Sequence, residues 1–245
     1  MSARVETDPI PVRFLDDRVV AADKPPGTTV VPAGGASPAS CLRARLEAQL
    51  GFRLWVVHRL DLDTSGVVLF ARDADTHRAL CAAFEARLVR QTYLAFTLGL
   101  PPAREGRIDT PLHAAKRGRV RPAAPHETGS QSAATRYTVR RRWQRVSDRV
   151  ALVEARPETS RHHQVRAHLR SIGAPILFDS VYGGAAAARG LDEAPAGRLA
   201  LHASRIVVQD PGNPGAVLAC DAPLPPDLTA LVRWLGREWE ELGAG

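Results

Sequence analysis

Leu54-Trp55-Val56-Val57-His58-Arg59-Leu60-Asp61-Leu62-Asp63-Thr64-Ser65-Gly66-Val67-Val68-Leu69-Phe70-Ala71 is the stretch around which the rest of the chain is best read. At each end lies an apolar run of strand length, Leu54 to Val57 and Val67 to Ala71. Both are rich in β-branched or aromatic side chains and read as buried strands. Between them stand one His, one Arg, two Asp, one Thr and one Ser, closed by Gly66. The nine residues from His58 to Gly66 exceed what a minimal hairpin needs. A polar loop held between two core strands is where a rigid scaffold presents reactive groups. The plainer reading is a turn in which Asp and Ser cap backbone amides.

On the N-terminal side, residues 1–11 are polar with two prolines and read as a loose arm. Val12 to Asp23 reads as two short strands turned at Asp16-Asp17-Arg18. Lys24-Pro25-Pro26-Gly27 then ends the strand and stiffens a loop, with Lys24 a surface charge on composition alone. Ser37-Pro38 opens a helix that carries Leu42, Leu46 and Leu50 and stops at Gly51. Beyond the central stretch, Asp73 or Asp75 caps a second helix with Leu80, Phe84 and Leu88 on one face. Gln91 to Leu100 alternates as a strand: Leu94, Phe96 and Leu98 point one way, Tyr93, Ala95 and Thr97 the other. Ala133–Arg142 and Asp148–Arg156 read as paired strands. Thr159 or Ser160 caps a helix carrying Val165, Leu169 and Ile172 and ending at Gly173. Arg161 falls in its first turn, where free amides and the dipole favour an anion. His162, His163 and His168 suggest a metal site only weakly, because the helix supplies no acidic ligand. An Ala/Gly-rich loop runs from Tyr182 to Gly197 and reads as mobile, and Pro225-Pro226 starts a closing helix. Alternating strands with few helices between them favour an α+β fold, a mixed, largely antiparallel sheet flanked by helices.

The chain has 245 residues, 44% hydrophobic, with a net charge of +7. That length suffices for a sizeable core, and the charge favours a polyanionic partner, nucleic acid before membrane. From His113 to Arg149, ten basic residues face only Glu127 and Asp148, a net of +8, so the remainder sums to about −1. Lys116, Arg117, Arg119 and Arg121 form the densest part of this basic arm and suit backbone phosphates and shape-based RNA grip. Few aromatics accompany them, so the arm serves affinity and not sequence readout. Three scattered cysteines, an odd number, suggest neither a zinc site nor a disulfide framework and fit a reducing cytoplasm. No signal peptide or membrane helix is evident.

The string His58-Arg59-Leu60-Asp61-x-x-Thr64-Ser65-Gly66 closely resembles the central motif of the RluA-type pseudouridine synthases. Three further resemblances follow in family order: Tyr93-Leu-Ala-Phe-x-x-Gly, Arg161-x-His163-Gln164-Val165-Arg166-x-His168-Leu169, and Leu199-x-Leu201-His202-Ala203. Lys24-Pro-x-Gly matches the family's first motif, near the cleft. The resemblance implies a single α+β domain over residues 12–245 with a cleft across the sheet. Many relatives carry a preceding S4-like segment that has no counterpart here. It also implies Asp61 as the nucleophile, Tyr93 stacked near the target base and implicated in proton removal, and Arg161 paired with Asp61. His58, Arg59, Thr64, Ser65, His163, Gln164, Arg166 and Leu201 are expected to line the substrate site, Val165 and Leu201 keeping it dry. Two positions depart from the family pattern. Ser160 stands where the family has Gly, which could shift Arg161, and Phe178 stands for the Gly before Asp179, which puts that loop's geometry in question.

Isomerising uridine means breaking N1–C1′ and joining C5 to C1′. All atoms are retained and no redox change occurs, so no cofactor or metal is expected. A carboxylate at the glycosidic carbon is the essential group. The expected partner is structured RNA, ribosomal or transfer, acted on by a monomer. Two alternatives share these residues: an N-glycosidase that releases uracil, and a non-catalytic RNA-binding module. Asp63 is the rival carboxylate, read as a loop-capping residue.

Overall fold

The structure, a computed structural model, describes residues 8–32, 37–124, 126–146, 148–183, 191–213 and 215–243. The N-terminal half runs β1 (Val12–Leu15), β2 (Val19–Lys24), α1 (Leu42–Leu50), β3 (Trp55–Val56), β4 (Ser65–Ala71), α2 (Ala74–Glu85) and β5 (Arg90–Leu98). Then come β6 (Glu105–Asp109), β7 (Leu112–Ala115), β8 (Arg119–Pro122), β9 (Ala134–Arg145), β10 (Asp148–Pro157) and α3 (Gln164–Ser171). The chain closes with β11 (Leu201–Gln209), β12 (Val217–Asp221), α4 (Pro226–Glu238) and β13 (Glu240–Glu241). Eleven of these strands form one sheet in the order β1-β2-β4-β11-β5-β10-β9-β13, with β12, β3 and β6 branching from it; β7 and β8 make a separate hairpin. Every strand pairing described is antiparallel except β4 with β11. The α+β expectation therefore holds.

The central run is a strand buried on both faces, which explains its continuous rather than alternating hydrophobicity. Val68 and Phe70 of β4 pack with Leu42 and Leu46 of α1. Val67, Leu69 and Ala71 face Leu80 of α2 together with Ile206 and Val208. Each such side chain contributes about 1.5–3 kcal/mol by leaving water. The first flank is weaker than its sequence suggests: β3 is two residues long and Trp55 is 42% exposed. A third core cluster lies over β5, β9 and β10, closed by α3 and α4. Tyr93 borders both this cluster and that of α1, so it stands where the two halves of the sheet meet.

Gly66 decides whether those halves can join. It has φ +119°, and a Cβ there would lie 2.2 Å from the Ala203 carbonyl oxygen and 2.6 Å from its nitrogen. Only a residue without a side chain lets β4 run parallel against β11 at this point, where Ser65 pairs with His202 and Gly66 with Ala203. Gly66→Ala should therefore destabilise the fold by about 2–4 kcal/mol, combining overpacking with a disfavoured φ. Urea unfolding checks this; an unchanged midpoint would contradict the close approach.

Several local expectations are corrected. Residues 8–11 are not loose: Ile10 is buried and its backbone exchanges hydrogen bonds with the Gln49 amide at 2.9 and 3.0 Å. Residues 1–7 of the expected arm lie outside the described residues. Asp73, not Asp75, caps α2, accepting from the Thr76 amide at 2.8 Å, and Leu88 falls beyond that helix, 63% exposed. The Ala/Gly-rich segment is packed where it is described, with Leu191 and Ala196 buried; residues 184–190 lie outside the described residues. The third helix begins at Gln164, later than its Thr159 or Ser160 cap implied, with His163 at its N-terminal boundary in a left-handed conformation (φ 52°). Arg161 thus precedes the helix, and the dipole argument does not apply to it.

Candidate active site

The loop between β3 and β4 is held open by buried polar contacts. The His58 Nε2 accepts from the Leu69 amide at 2.9 Å, so the ring carries its proton on Nδ1 and extends the edge where β3 stops. Burial pushes the His58 pKa down to about 4, and the ring stacks on Phe84. Lys24 is not a surface charge: it is buried, and its Nζ donates to the carbonyls of Pro25, Thr28 and Leu62 at 2.7–2.9 Å. Burial lowers its pKa to about 7 against the raising effect of Asp63 and Asp61. The Leu62 contact ties the first motif to the loop that carries Asp61. The Thr64 amide closes a turn onto the Asp61 carbonyl, whereas the Asp63 side chain is exposed and caps no amide among the described residues.

Asp61 reaches a cavity of about 670 Å³, within the usual range for ligand sites. His58, Arg59, Thr64, Tyr93, Arg161, His163, Gln164, Val165, Arg166 and Leu201 all line it, together with Phe84 and His162, which the sequence did not place at the substrate, and Arg87, which it did not single out. A second cavity of about 340 Å³ continues past Arg59 and Asp61 towards Val30, Leu62 and Val181.

The guanidinium that meets Asp61 belongs to Arg166, not Arg161. Arg166 Nη1 donates to Asp61 Oδ2 at 3.0 Å, while its Nε and Nη2 grip both oxygens of Asp179 at 2.8 and 2.9 Å. Arg161 instead donates from Nε to the Ser132 carbonyl at 3.2 Å, and its amide donates to the Gln164 side chain at 3.1 Å. The late start of α3 is the reason. Residues 159–163 form a turn pinned by Gln164, which also takes the Thr159 hydroxyl and donates to the Ala134 carbonyl. Arg166, two residues inside the helix, points at the loop. Gln164 of α3 is thus committed to internal bonds. Ser65 also departs from its expected place at the substrate: its buried hydroxyl bonds His202 Nδ1 at 3.0 Å, and His202 Nε2 donates to the Ala222 carbonyl.

Asp179 anchors this arrangement despite the residue before it. Phe178 adopts φ 58°, the region for which the family's Gly is suited, and Asp179 still lies buried against Arg166. Burial alone raises the Asp179 carboxyl; the Arg166 hydrogen bonds and charge outweigh it and hold the group below the usual carboxylate range. Burial, with the Asp61 charge, raises the Tyr93 phenol well above its usual value, so it stays protonated.

Asp61, His162 and His163 place one potential ligand atom each within 4.8 Å, so the tertiary structure supplies the acid missing from the helix. The Arg166 cation on the same Asp61 oxygen, and the engagement of His162 Nε2 by the Gly118 carbonyl at 2.9 Å, make the set ill suited to a divalent ion.

The charge of the 113–149 arm is less concentrated than its sequence count. Arg121 pairs with Glu127, Arg136 with Glu158, Arg140 with Glu154 and Arg141 with Glu241. Three of those acids come from outside the arm. Lys116 and Arg119 are exposed and make no ion pair among the described residues; the Arg117 side chain is not among those described.

Residues 18–171 match the family model for RNA pseudouridylate synthase. The chain is 33% identical over 240 residues to ribosomal large subunit pseudouridine synthase D of Xanthomonas campestris, covering 91% of this chain and 69% of that one. It is 34% identical over 202 residues to the dual-specificity RNA pseudouridine synthase RluA of Vibrio cholerae, covering 82% and 78%. Among solved structures, human RNA pseudouridylate synthase domain containing 4 superposes with a TM-score of 0.73 at 25% identity, over 92% of this chain and 93% of that one. The family model matches well over half of the chain and the relatives align over most of it, so this protein belongs to the RNA pseudouridylate synthase family.

Proposed function

We propose that Asp61 is the nucleophile of uridine isomerisation in a structured ribosomal or transfer RNA. The observation that carries this is the Arg166–Asp61 pair at the edge of an open cavity that Tyr93 also lines. An Asp61 oxygen attacks C1′, and the N1–C1′ electron pair leaves with the base. The uracil turns, C5 displaces the carboxylate at C1′, the C5 proton is lost and N1 is protonated. Arg166 holds and aims an Asp61 oxygen for the first step. Tyr93 stacks on the base as a neutral phenol. Once Asp61 is an ester, one of the two influences that keep Tyr93 protonated is gone, which favours its part in removing the C5 proton. Val165 and Leu201 keep water from C1′. The Thr64 hydroxyl, buried at the cavity with no hydrogen-bond partner among the described residues, is a candidate contact for the substrate.

RNA carrying C5-tritiated uridine tests the reading. Tritium release without free uracil is expected. Free uracil would indicate an N-glycosidase, and binding without either product would indicate a non-catalytic module.

Arg59, exposed between the two cavities, and Lys116 and Arg119 are the proposed phosphate contacts. Extruding a base costs a few kcal/mol, which such contacts offset. Replacing Lys116 and Arg119 by Ala should lower the slope of log affinity against log salt by roughly 1.4–1.8. Arg121→Ala should change it less, because Glu127 already takes that charge. Equal slopes for wild type and the double variant would remove the hairpin from the RNA interface. The three free cysteines suit a reducing compartment, and we place the protein in the cytoplasm as a monomer.

A further inference from the structure

The cavity has a second layer that the reaction scheme leaves unused. Tyr182 follows Asp179 by three residues, and its amide donates to the same Asp179 carboxylate that holds Arg166, at 3.0 Å. Its hydroxyl accepts from the Val120 amide of β8 at 3.0 Å and lies 3.2 Å from His163 Nδ1. The other nitrogen of that ring, Nε2, sits 3.7 Å from Asp61 Oδ2. His162 stacks on His163 with 3.7 Å between ring centroids and bonds the Gly118 carbonyl. Two bonds from the basic hairpin β7–β8 thus converge on one imidazole beside Asp61.

The tautomer follows from the partners. The Val120 N–H is fixed as a donor, so the Tyr182 hydroxyl has one proton to give, and His163 Nδ1 is the acceptor within reach. A proton on Nδ1 would leave the Tyr182 proton without an acceptor among the described residues and turn a nitrogen lone pair towards the Asp61 carboxylate. Placing it on Nε2 gives the Tyr182 proton its acceptor and turns the N–H dipole towards the Asp61 carboxylate, 3.7 Å away and outside direct hydrogen-bond reach. His163 also holds φ 52°, an uncommon conformation for a side chain of its size, which aims its ring into this gap.

We propose that Tyr182 and His163 are positioning residues that couple the basic hairpin to Asp61: the hairpin sets the Tyr182 hydroxyl, Tyr182 sets the His163 tautomer, and the Nε2–H orients the carboxylate. Neither residue touches the reacting atoms; the coupling acts through Asp61. RNA seated on the hairpin is thereby sensed at the nucleophile. The inference rests on the isomerase reading for its kinetic consequence but not for its geometry.

The test uses the full chain with 15N-labelled histidine. Nitrogen chemical shifts assigned to His163 should report an Nε2–H neutral ring in the wild type at neutral pH. Tyr182→Phe keeps the ring against the Arg166 guanidinium and removes only the hydroxyl; it should mix the two tautomers. Turnover on RNA should then fall about tenfold with KM within twofold, a split that loss of general packing would not give. An Nδ1–H ring in the wild type, an unchanged tautomer in Tyr182→Phe, or unchanged turnover despite a changed tautomer would each overturn the relay. If the isomerase reading itself is wrong, tritium release is absent from the wild type too, while the tautomer measurement still decides the geometry.

Discussion

Tritium release by an Asp61→Asn variant is expected to fall on the order of 10³-fold or more, with RNA affinity changing less than about threefold. Asn keeps the shape of the side chain and can still accept the Arg166 hydrogen bond, so the loop and the Asp179 anchor should persist. What it loses is the anionic oxygen that must bond to C1′ and leave again. Binding should be spared because the cavity is lined by other cations, Arg59, Arg87 and Arg161 among them. A variant with wild-type turnover would end the assignment of Asp61 as nucleophile, whatever else the cleft contains.

The second large effect belongs to Arg166. Arg166→Met should cost about 3–5 kcal/mol of stability, because it strands the Asp179 carboxylate, whose side chain is wholly buried. It should also lower turnover steeply, since Asp61 loses the donor that aims it. The control is Arg161→Met. Its guanidinium holds only a carbonyl at the cavity rim, so stability should move by less than about 0.5 kcal/mol, and any loss should appear in RNA affinity. Melting temperature and turnover measured on both variants separate the two arginines. If Arg161→Met were the destabilised and inactive one, the pairing described here would be wrong.

The contrast between these two arginines shows where a linear reading stops. Both stand in one string, Arg161-His-His-Gln-Val-Arg166, and both are plausible partners for a carboxylate one hundred residues away. Which one arrives depends on where the helix starts. Thr159 and Ser160 are good capping residues, and local propensity favours a start there. The start is delayed because Gln164 forms bonds to Thr159, Ala134 and Thr135 that only the β9–β10 hairpin can offer. Only the structure shows that residues 164–169 are all buried, and a buried arginine requires an acid, which Asp179 supplies. Asp63 and Ser65 failed for a related reason, since a turn at Asp61–Thr64 sends alternate residues in directions that an extended loop does not. The arm's charge is spread by pairing, its arginines meeting glutamates distant in sequence but adjacent in the sheet.

Local chemistry alone determined the polar loop between apolar strands and the α+β class, because strand periodicity and turn residues are short-range properties written along the chain; the nucleophile candidate and the expected cleft residues followed from the resemblance of its motifs to a known family. The tertiary structure alone decided which guanidinium meets Asp61, that Lys24 is buried under the loop, and that Tyr182 joins the hairpin to His163. Those are contacts between segments 38 to 105 residues apart, which no residue's own preference sets and which form only once the sheet and helices have come together.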